Sequence, residues 1–174
     1  MKKPKTSNPL CLECGLCCNG VIFADGQLQA GDDPARLREL GLRLPETRGS
    51  TAGFPKFRQP CAAFQDCRCQ IYSDRPKYCR AFECSLLIRF QEDEIEAEPA
   101  LKIIRRTRRQ AGKVNKLLAQ LGDTKETDAL STRFRRMQRR MEGAAVDETS
   151  ADLFGELTLA MLDLQVMLGR DFYP

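Results

Sequence analysis

The sequence predicts an α+β protein: an irregular, cysteine-rich metal-binding module with short strands, followed by a mainly helical C-terminal part. All nine cysteines lie between residues 11 and 84. Three later segments place apolar residues at helical intervals. Hydrophobic residues fill 42% of the 174 positions, which suffices for a packed core. We therefore expect a cysteine-cluster metal-binding module at residues 8–90 and a three-helix support packed on it at residues 91–170.

The three predicted helices carry start and stop signals. The first runs from Pro99 to Leu121 before Gly122, and Asp123-Thr-Lys-Glu126 resembles a capping box for the second, which ends at Gly143. The third runs from near Thr149 to Gly169. Because amphipathic helices of this length are marginal alone in water, they must pack on one another or on the cysteine module.

Shorter elements are predicted in the first half. Val21-Ile22-Phe23 follows a turn signal and is a strand candidate. Asp33 can cap a helix, Pro34 suits its first position, and Gly41 suits its end. The segments that carry the cysteines are expected to be irregular.

The chemistry begins with Cys11-Leu-Glu-Cys14-Gly-Leu-Cys17-Cys18 in a chain that has no histidine. Every soft ligand must then be a cysteine sulfur, which excludes Cys₂His₂ zinc fingers, Rieske centres and two-histidine-one-carboxylate iron sites. Any catalysis would also have to proceed without a histidine base, so the sequence favours a non-enzymatic role.

The cysteines indicate metal binding better than disulfide bonding. No signal peptide and no apolar stretch of membrane-spanning length is visible, so we expect a cytoplasmic protein without a membrane partner. Cytosolic thiols are mostly reduced, and clustered ones usually bind metal or do redox work. Nine is an odd number, and a disulfide between adjacent Cys17 and Cys18 would distort the peptide between them.

Spacing predicts how the first four thiols are used. A Cys-x-x-Cys turn followed by glycine brings two sulfurs together and lets backbone N–H groups donate to them. Cys14-x-x-Cys17 repeats the spacing, so three sulfurs can converge. Side chains of neighbouring residues diverge, so Cys18 more naturally reaches a second metal or another iron of a cluster.

The second group carries a recognisable pattern from Cys61 to Phe64, then Cys69-Gln-Ile71-Tyr72, Arg75-Pro76 and Cys79-Arg80. Together with the first motif, it resembles the CxxCxxCC cysteine-cluster family of zinc- or iron-chelating domains over roughly residues 11–90. Phe64 stands one place later than in the family pattern, and Cys67 has no position in it. The resemblance implies these thiolate ligands: Cys11, Cys14, Cys17, Cys18, Cys61, Cys69, Cys79 and Cys84.

The identity of the metal stays open at this point. Eight thiols would fill two four-sulfur sites, or one iron–sulfur cluster plus one zinc, or one site with spare thiols. The Cys11-x₂-Cys14-x₂-Cys17 run matches the first three ligands of a bacterial-type ferredoxin, but the usual fourth ligand is missing. The cofactor is therefore zinc or iron, the latter alone or as an iron–sulfur cluster.

Two functions remain. In the first, iron or zinc serves redox, electron-transfer or metal-handling work; in the second, structural zinc presents a surface to a protein or nucleic acid. Arg68, Arg75, Lys77 and Arg80 could offset thiolate charge. The basic strips at 105–109 and 133–140 lie in a half of net charge −1, from 14 basic and 15 acidic residues. They therefore resemble solvated helix faces, and the expected partners are metal ions and an unknown protein rather than nucleic acid.

Overall fold

The computed structural model describes residues 9–45, 53–143 and 147–174. Its helices are α1 (Pro9–Cys14), α2 (Pro34–Glu39), α3 (Lys77–Ala81), α4 (Ser85–Gln91), α5 (Ala97–Gln120), α6 (Leu130–Glu142) and α7 (Glu148–Asp171). Its strands are β1 (Asp25–Gln27), β2 (Lys56–Arg58), β3 (Phe64–Gln65) and β4 (Arg68–Cys69). The protein is thus α+β, with long helices after residue 96 and short elements before it. None of the described helices has an apolar stretch long enough to cross a membrane.

The long helices α5 and α7 pack side by side and run in opposite directions. Gln110 of α5 donates a hydrogen bond to the Ala160 carbonyl at 2.8 Å, and Lys113 pairs with Glu156 at 3.0 Å. Their facing sides bury Ile104, Val114, Leu118, Leu157 and Leu164 in a first core. The apolar periodicity therefore predicted these helices correctly, and the predicted ends differ from the observed ones by two residues or fewer.

The predicted capping box is wrong. Helix α6 begins at Leu130, several residues after Glu126, with Ala129 at its N-cap. The Asp123 carboxylate instead pairs with Arg133 at 2.6 Å and Arg136 at 2.9 Å. The Arg133 side chain is only 6% exposed. A buried guanidinium without a counter-charge costs more free energy than an uncapped helix end, so the carboxylate pairs with Arg133.

Before residue 96 the chain forms small antiparallel pairs. β1 pairs with β2 so that Gly26 faces Phe57, and β3 pairs with β4 so that Phe64 faces Cys69. The pair β1–β2 and helix α2 surround a second core of Leu28, Leu37, Leu42, Phe57, Ala63 and Ile71. The α2 prediction is confirmed, because Asp33 accepts from the N–H groups of Ala35 and Arg36.

The strand predicted at Val21–Phe23 is wrong. Val21 and Ile22 are both buried in the first core, whereas a strand would point consecutive side chains to opposite faces. The Ile22 N–H donates to the Leu16 carbonyl and holds a tight turn after the first cysteines. Packing against the helices has therefore overridden a local preference for strand.

The first cysteine motif packs directly against the long helices. Leu10, Leu16 and Leu86 share the first core with Ile104 and Leu164. The division into a module at 8–90 and a support at 91–170 stays a prediction, and residue 8 lies outside the described residues.

Candidate metal centre

The cysteines from both ends of the first half surround one cavity of about 120 Å³. Its wall includes seven of the eight predicted ligands: Cys11, Cys14, Cys17, Cys18, Cys69, Cys79 and Cys84. Cys61 is not part of that wall, but its N–H donates to the Cys18 carbonyl at 2.8 Å. Phe23, Tyr78 and Phe82 form an edge-to-face aromatic cluster on the same cavity. Two groups of thiols that are distant in sequence thus lie close together in the fold.

The thiols divide between the two cores. Cys14, Cys17 and Cys84 pack against the first core, which the long helices build. By contrast, the second core carries Cys61, Cys69 and Cys79. The cavity lies where these two sets of sulfurs meet.

The thiols whose charges most affect one another's pKa values fall into the same two sets. These effects also assign the remaining two cysteines, Cys11 and Cys18, to one set each. Among the charges that affect the Cys11 thiol, Cys84 has the largest effect and raises its pKa. Those with the largest effects on Cys18 are Cys61, Cys69 and Cys79. We call Cys11, Cys14, Cys17 and Cys84 the first thiol group. We call Cys18, Cys61, Cys69 and Cys79 the second thiol group.

Burial is the largest influence on these thiols in the metal-free protein. It raises the pKa of Cys11 to about 11 and the pKa values of Cys14, Cys18 and Cys79 to about 12. It raises the pKa of Cys17 well above the ordinary value. At neutral pH these thiols are therefore protonated, and a metal ion must displace their protons to bind.

Backbone N–H groups oppose this effect of burial. The N–H of the second residue after the cysteine lowers the pKa at Cys14, Cys61 and Cys69, through Leu16, Ala63 and Ile71. Leu86 and Leu87 act likewise on Cys84. Such N–H···S contacts stabilise thiolate ligands and orient their sulfurs, as the sequence predicted for the first motif.

A close contact joins the two cysteine segments. Gly15 has φ 66°, and a Cβ there would lie 2.4 Å from the Phe64 ring. Glycine is required for both reasons, because a side chain would collide with Phe64 in a backbone region that L residues rarely adopt. Phe64 pairs with Cys69 across the β3–β4 hairpin, so this contact places the segment of Cys14 against the segment of Cys69.

Cys67 also lines the cavity, but it belongs to neither thiol group. It is the second residue of the two-residue turn between β3 and β4, where Asp66 has φ 47° and Cys67 has φ 62°. Its sulfur accepts a hydrogen bond from Arg108 Nη2 at 2.8 Å. The sequence pattern predicts that Arg108 belongs to a solvated basic strip, so this contact was not expected. No sequence signal separates Arg108 from its neighbours in the strip. Only its hydrogen bonds in the folded protein do.

Arg75 is the clearest charge partner of the thiols. Its guanidinium stacks on Tyr72, with 3.6 Å between the guanidinium carbon and the ring centroid, and donates to the Tyr72 carbonyl. Its charge partly opposes the effect of burial on the pKa values of Cys11, Cys69 and Cys79. Arg75 thus provides the predicted charge compensation and also holds the turn between Cys69 and Cys79. Arg108, which was not in the predicted set, acts in the same direction on the pKa of Cys14.

Within the described residues, no three Cys, Asp or Glu side chains are arranged as a ready-made metal site. The donor set nevertheless fits zinc or iron. Thiols gather on an apolar cavity, backbone N–H groups lie near four of them, and no competing histidine exists. The sulfurs would have to move inward to share an ion.

A cysteine-walled cavity of this kind defines a thiolate metal-binding protein. The chain belongs to the CxxCxxCC family, described as "Putative zinc- or iron-chelating domain", whose model matches residues 10–101. Comparison with curated proteins found no match, and neither did comparison with solved structures. Family and site together make this a cysteine-cluster protein that binds metal. The match also reaches past Cys84, so it covers all eight predicted ligands.

Proposed function

We propose that the protein holds two metal centres, one in each thiol group, and uses them for redox, electron-transfer or metal-handling work. The observation that carries this proposal is the division of eight thiols into two groups of four. Four thiolates complete a tetrahedral zinc site or hold an iron–sulfur cluster. Each centre would then have a full set of ligands from this chain alone.

The position of Cys17 and Cys18 supports two nearby centres. These consecutive residues, whose Cα atoms are about 3.8 Å apart, belong to different thiol groups. A backbone hydrogen bond from Cys61 to Cys18 ties the second group to the same point. Centres this close, with an apolar wall around them, suit the passage of electrons between two iron-containing centres.

The small second core favours a different candidate, in which zinc is structural. That core contains six buried apolar side chains, of which only Phe57 lies on a strand and only Leu37 on a helix. So small a core supplies little folding free energy, and metal ligation commonly replaces it in such modules. Under this alternative, the module presents a surface to another macromolecule rather than moving electrons.

The test is anaerobic purification followed by metal analysis and a visible absorption spectrum. Broad visible absorbance with bound iron supports the redox role, and a colourless protein with two zinc ions supports the structural alternative. Variants Cys84→Ser and Cys69→Ser should each lose one centre and keep the other. Loss of all metal in both variants would mean a single shared site, and a wild-type protein that binds no metal would end the proposal.

A further inference from the structure

We infer that Arg108 is a positioning residue for the first thiol group, holding the Cys-x-x-Cys segment and the Cys67 turn against helix α5. The inference rests on the proposed function and adds a residue that lies outside the cysteine pattern. Arg108 would touch no metal. It would act through the backbone and the sulfur to which it donates.

The geometry is a fork with two different acceptors. Arg108 Nη1 donates to the Glu13 carbonyl at 2.8 Å, and Nη2 donates to Cys67 Sγ at 2.8 Å. Glu13 stands between Cys11 and Cys14, so the first bond fixes the peptide that sets their separation. A planar guanidinium can satisfy both acceptors at once, which an ammonium on a flexible chain does less well.

The two acceptors belong to segments far apart in sequence. The bond to Glu13 spans 95 positions and the bond to Cys67 spans 41. The base of Arg108 is fixed, because the preceding residue Thr107 is fully buried on α5. The helical half therefore holds both cysteine segments through one side chain.

The Cys67 turn gives this contact a structural reason. A cysteine with φ 62° occupies a region that residues other than glycine, asparagine and aspartate seldom adopt. The hydrogen bond from Arg108 helps to keep the turn in this conformation. Cys69 of the second thiol group follows two residues later, so the position of the turn bears on both groups.

The neighbouring residue offers a matched control. Arg109 is exposed, and within the part of the chain that the structure describes its side chain makes no hydrogen bond or ion pair. It carries the same charge on the same helix. The comparison of the two arginines controls for charge on the helix, and Arg108→Lys keeps the positive charge that acts on Cys14.

The experiment compares full-length wild type with Arg108→Gln, Arg108→Lys and Arg109→Gln. Release of metal to excess chelator is followed in time, and amide hydrogen exchange is measured across residues 11–18 of the protein as purified. We expect Arg108→Gln to leave metal stoichiometry unchanged but to speed release from one of two centres about tenfold or more, as for lost outer contacts to metal ligands. Exchange across 11–18 should also become faster.

Arg108→Lys should fall between wild type and Arg108→Gln, because one ammonium cannot bridge both acceptors well. Cys67→Ala should have a smaller effect than Arg108→Gln, since the bond to Glu13 remains, and should add little to it in the double variant. The inference is overturned if Arg108→Gln behaves like Arg109→Gln in both measurements. A wild type without metal would refute the proposed function alone, because the exchange comparison still decides the role of Arg108.

Discussion

Residues 97–171 and residues 9–91 are stabilised by different means. The later region packs three helices around a core of many aliphatic side chains, whereas the earlier one has short elements, six buried apolar residues in a core of its own and all nine cysteines. The first thiol group borders the large core and the second thiol group borders the small one. From this difference we expect metal binding to contribute most to stability where apolar packing is poorest.

Metal removal gives the largest expected contrast between the two regions. Structural zinc contributes about 10–16 kcal/mol in small domains, and the second core cannot replace it. Near-ultraviolet circular dichroism should lose the signal of Tyr72 and Tyr78 on the cavity wall, while far-ultraviolet helix signal largely remains. Unchanged near-ultraviolet signal and melting after complete chelation would contradict the comparison.

The next largest effect is expected from truncating one buried leucine in each core. Leu164 and Leu28 are both almost fully buried, so Leu164→Ala and Leu28→Ala should each cost about 2–5 kcal/mol in the metal-loaded protein. Urea unfolding measures both. Leu28→Ala should lower metal content much more than Leu164→Ala. Both cores border cysteines, but the six residues of the second core leave little other packing to hold its thiols in place. Equal metal loss in both variants would mean that the regions are not distinct.

Thiol titration sharpens the comparison further. In the folded metal-free module, burial raises the pKa values of Cys14, Cys18 and Cys79 to about 12, against about 8.5 in an unfolded chain. Stability from these protonated thiols is present below about pH 8.5 and is lost as pH rises through about 12. We expect most thiols of the metal-free protein to titrate near 8.5, because the module loosens without metal. The titration is followed by the rate of reaction with an alkylating reagent across this pH range. Titration near pH 12 would show that the module stays folded without metal.

The smallest effect is expected at Cys67. Cys67→Ser should keep the full metal stoichiometry, since this residue lies outside both thiol groups and faces Arg108. Cys69→Ser should lose metal and several kcal/mol of stability. Metal analysis and urea unfolding of the pair provide the check. The reverse result would mean that the ligand set of the second group is shifted by two residues.

Sequence patterns predicted the later region well because its helices are long. Apolar residues at intervals of three or four specify the buried faces of α5 and α7 directly, and Gly122 has the positive φ expected after a helix. The Asp123 prediction failed because a distant arginine, Arg133, took the carboxylate. Local patterns carry no information about such partners.

The earlier region was harder to predict because its elements are too short for periodicity. Helices α1, α3 and α4 have five to seven residues and were expected to be irregular. The cysteine pattern named eight ligands, and that set stays a prediction, since Cys67 lines the cavity and Cys61 does not. The pattern could not assign the ligands to two groups, nor find Arg108 or Gly15 against Phe64, since these depend on contacts between remote segments.

The wall of the cavity is completed by residues made long after the last cysteine. Phe172 is fully buried and lines the cavity, and the Ser85 side chain, next to Cys84, donates to the Tyr173 carbonyl 88 positions further on. At about 5–20 residues per second, a ribosome needs roughly 4–18 s to cover that interval. For those seconds the nascent chain carries its thiols without their final cover. The thiols are therefore open to metal ions and to oxidants until Phe172 has been made.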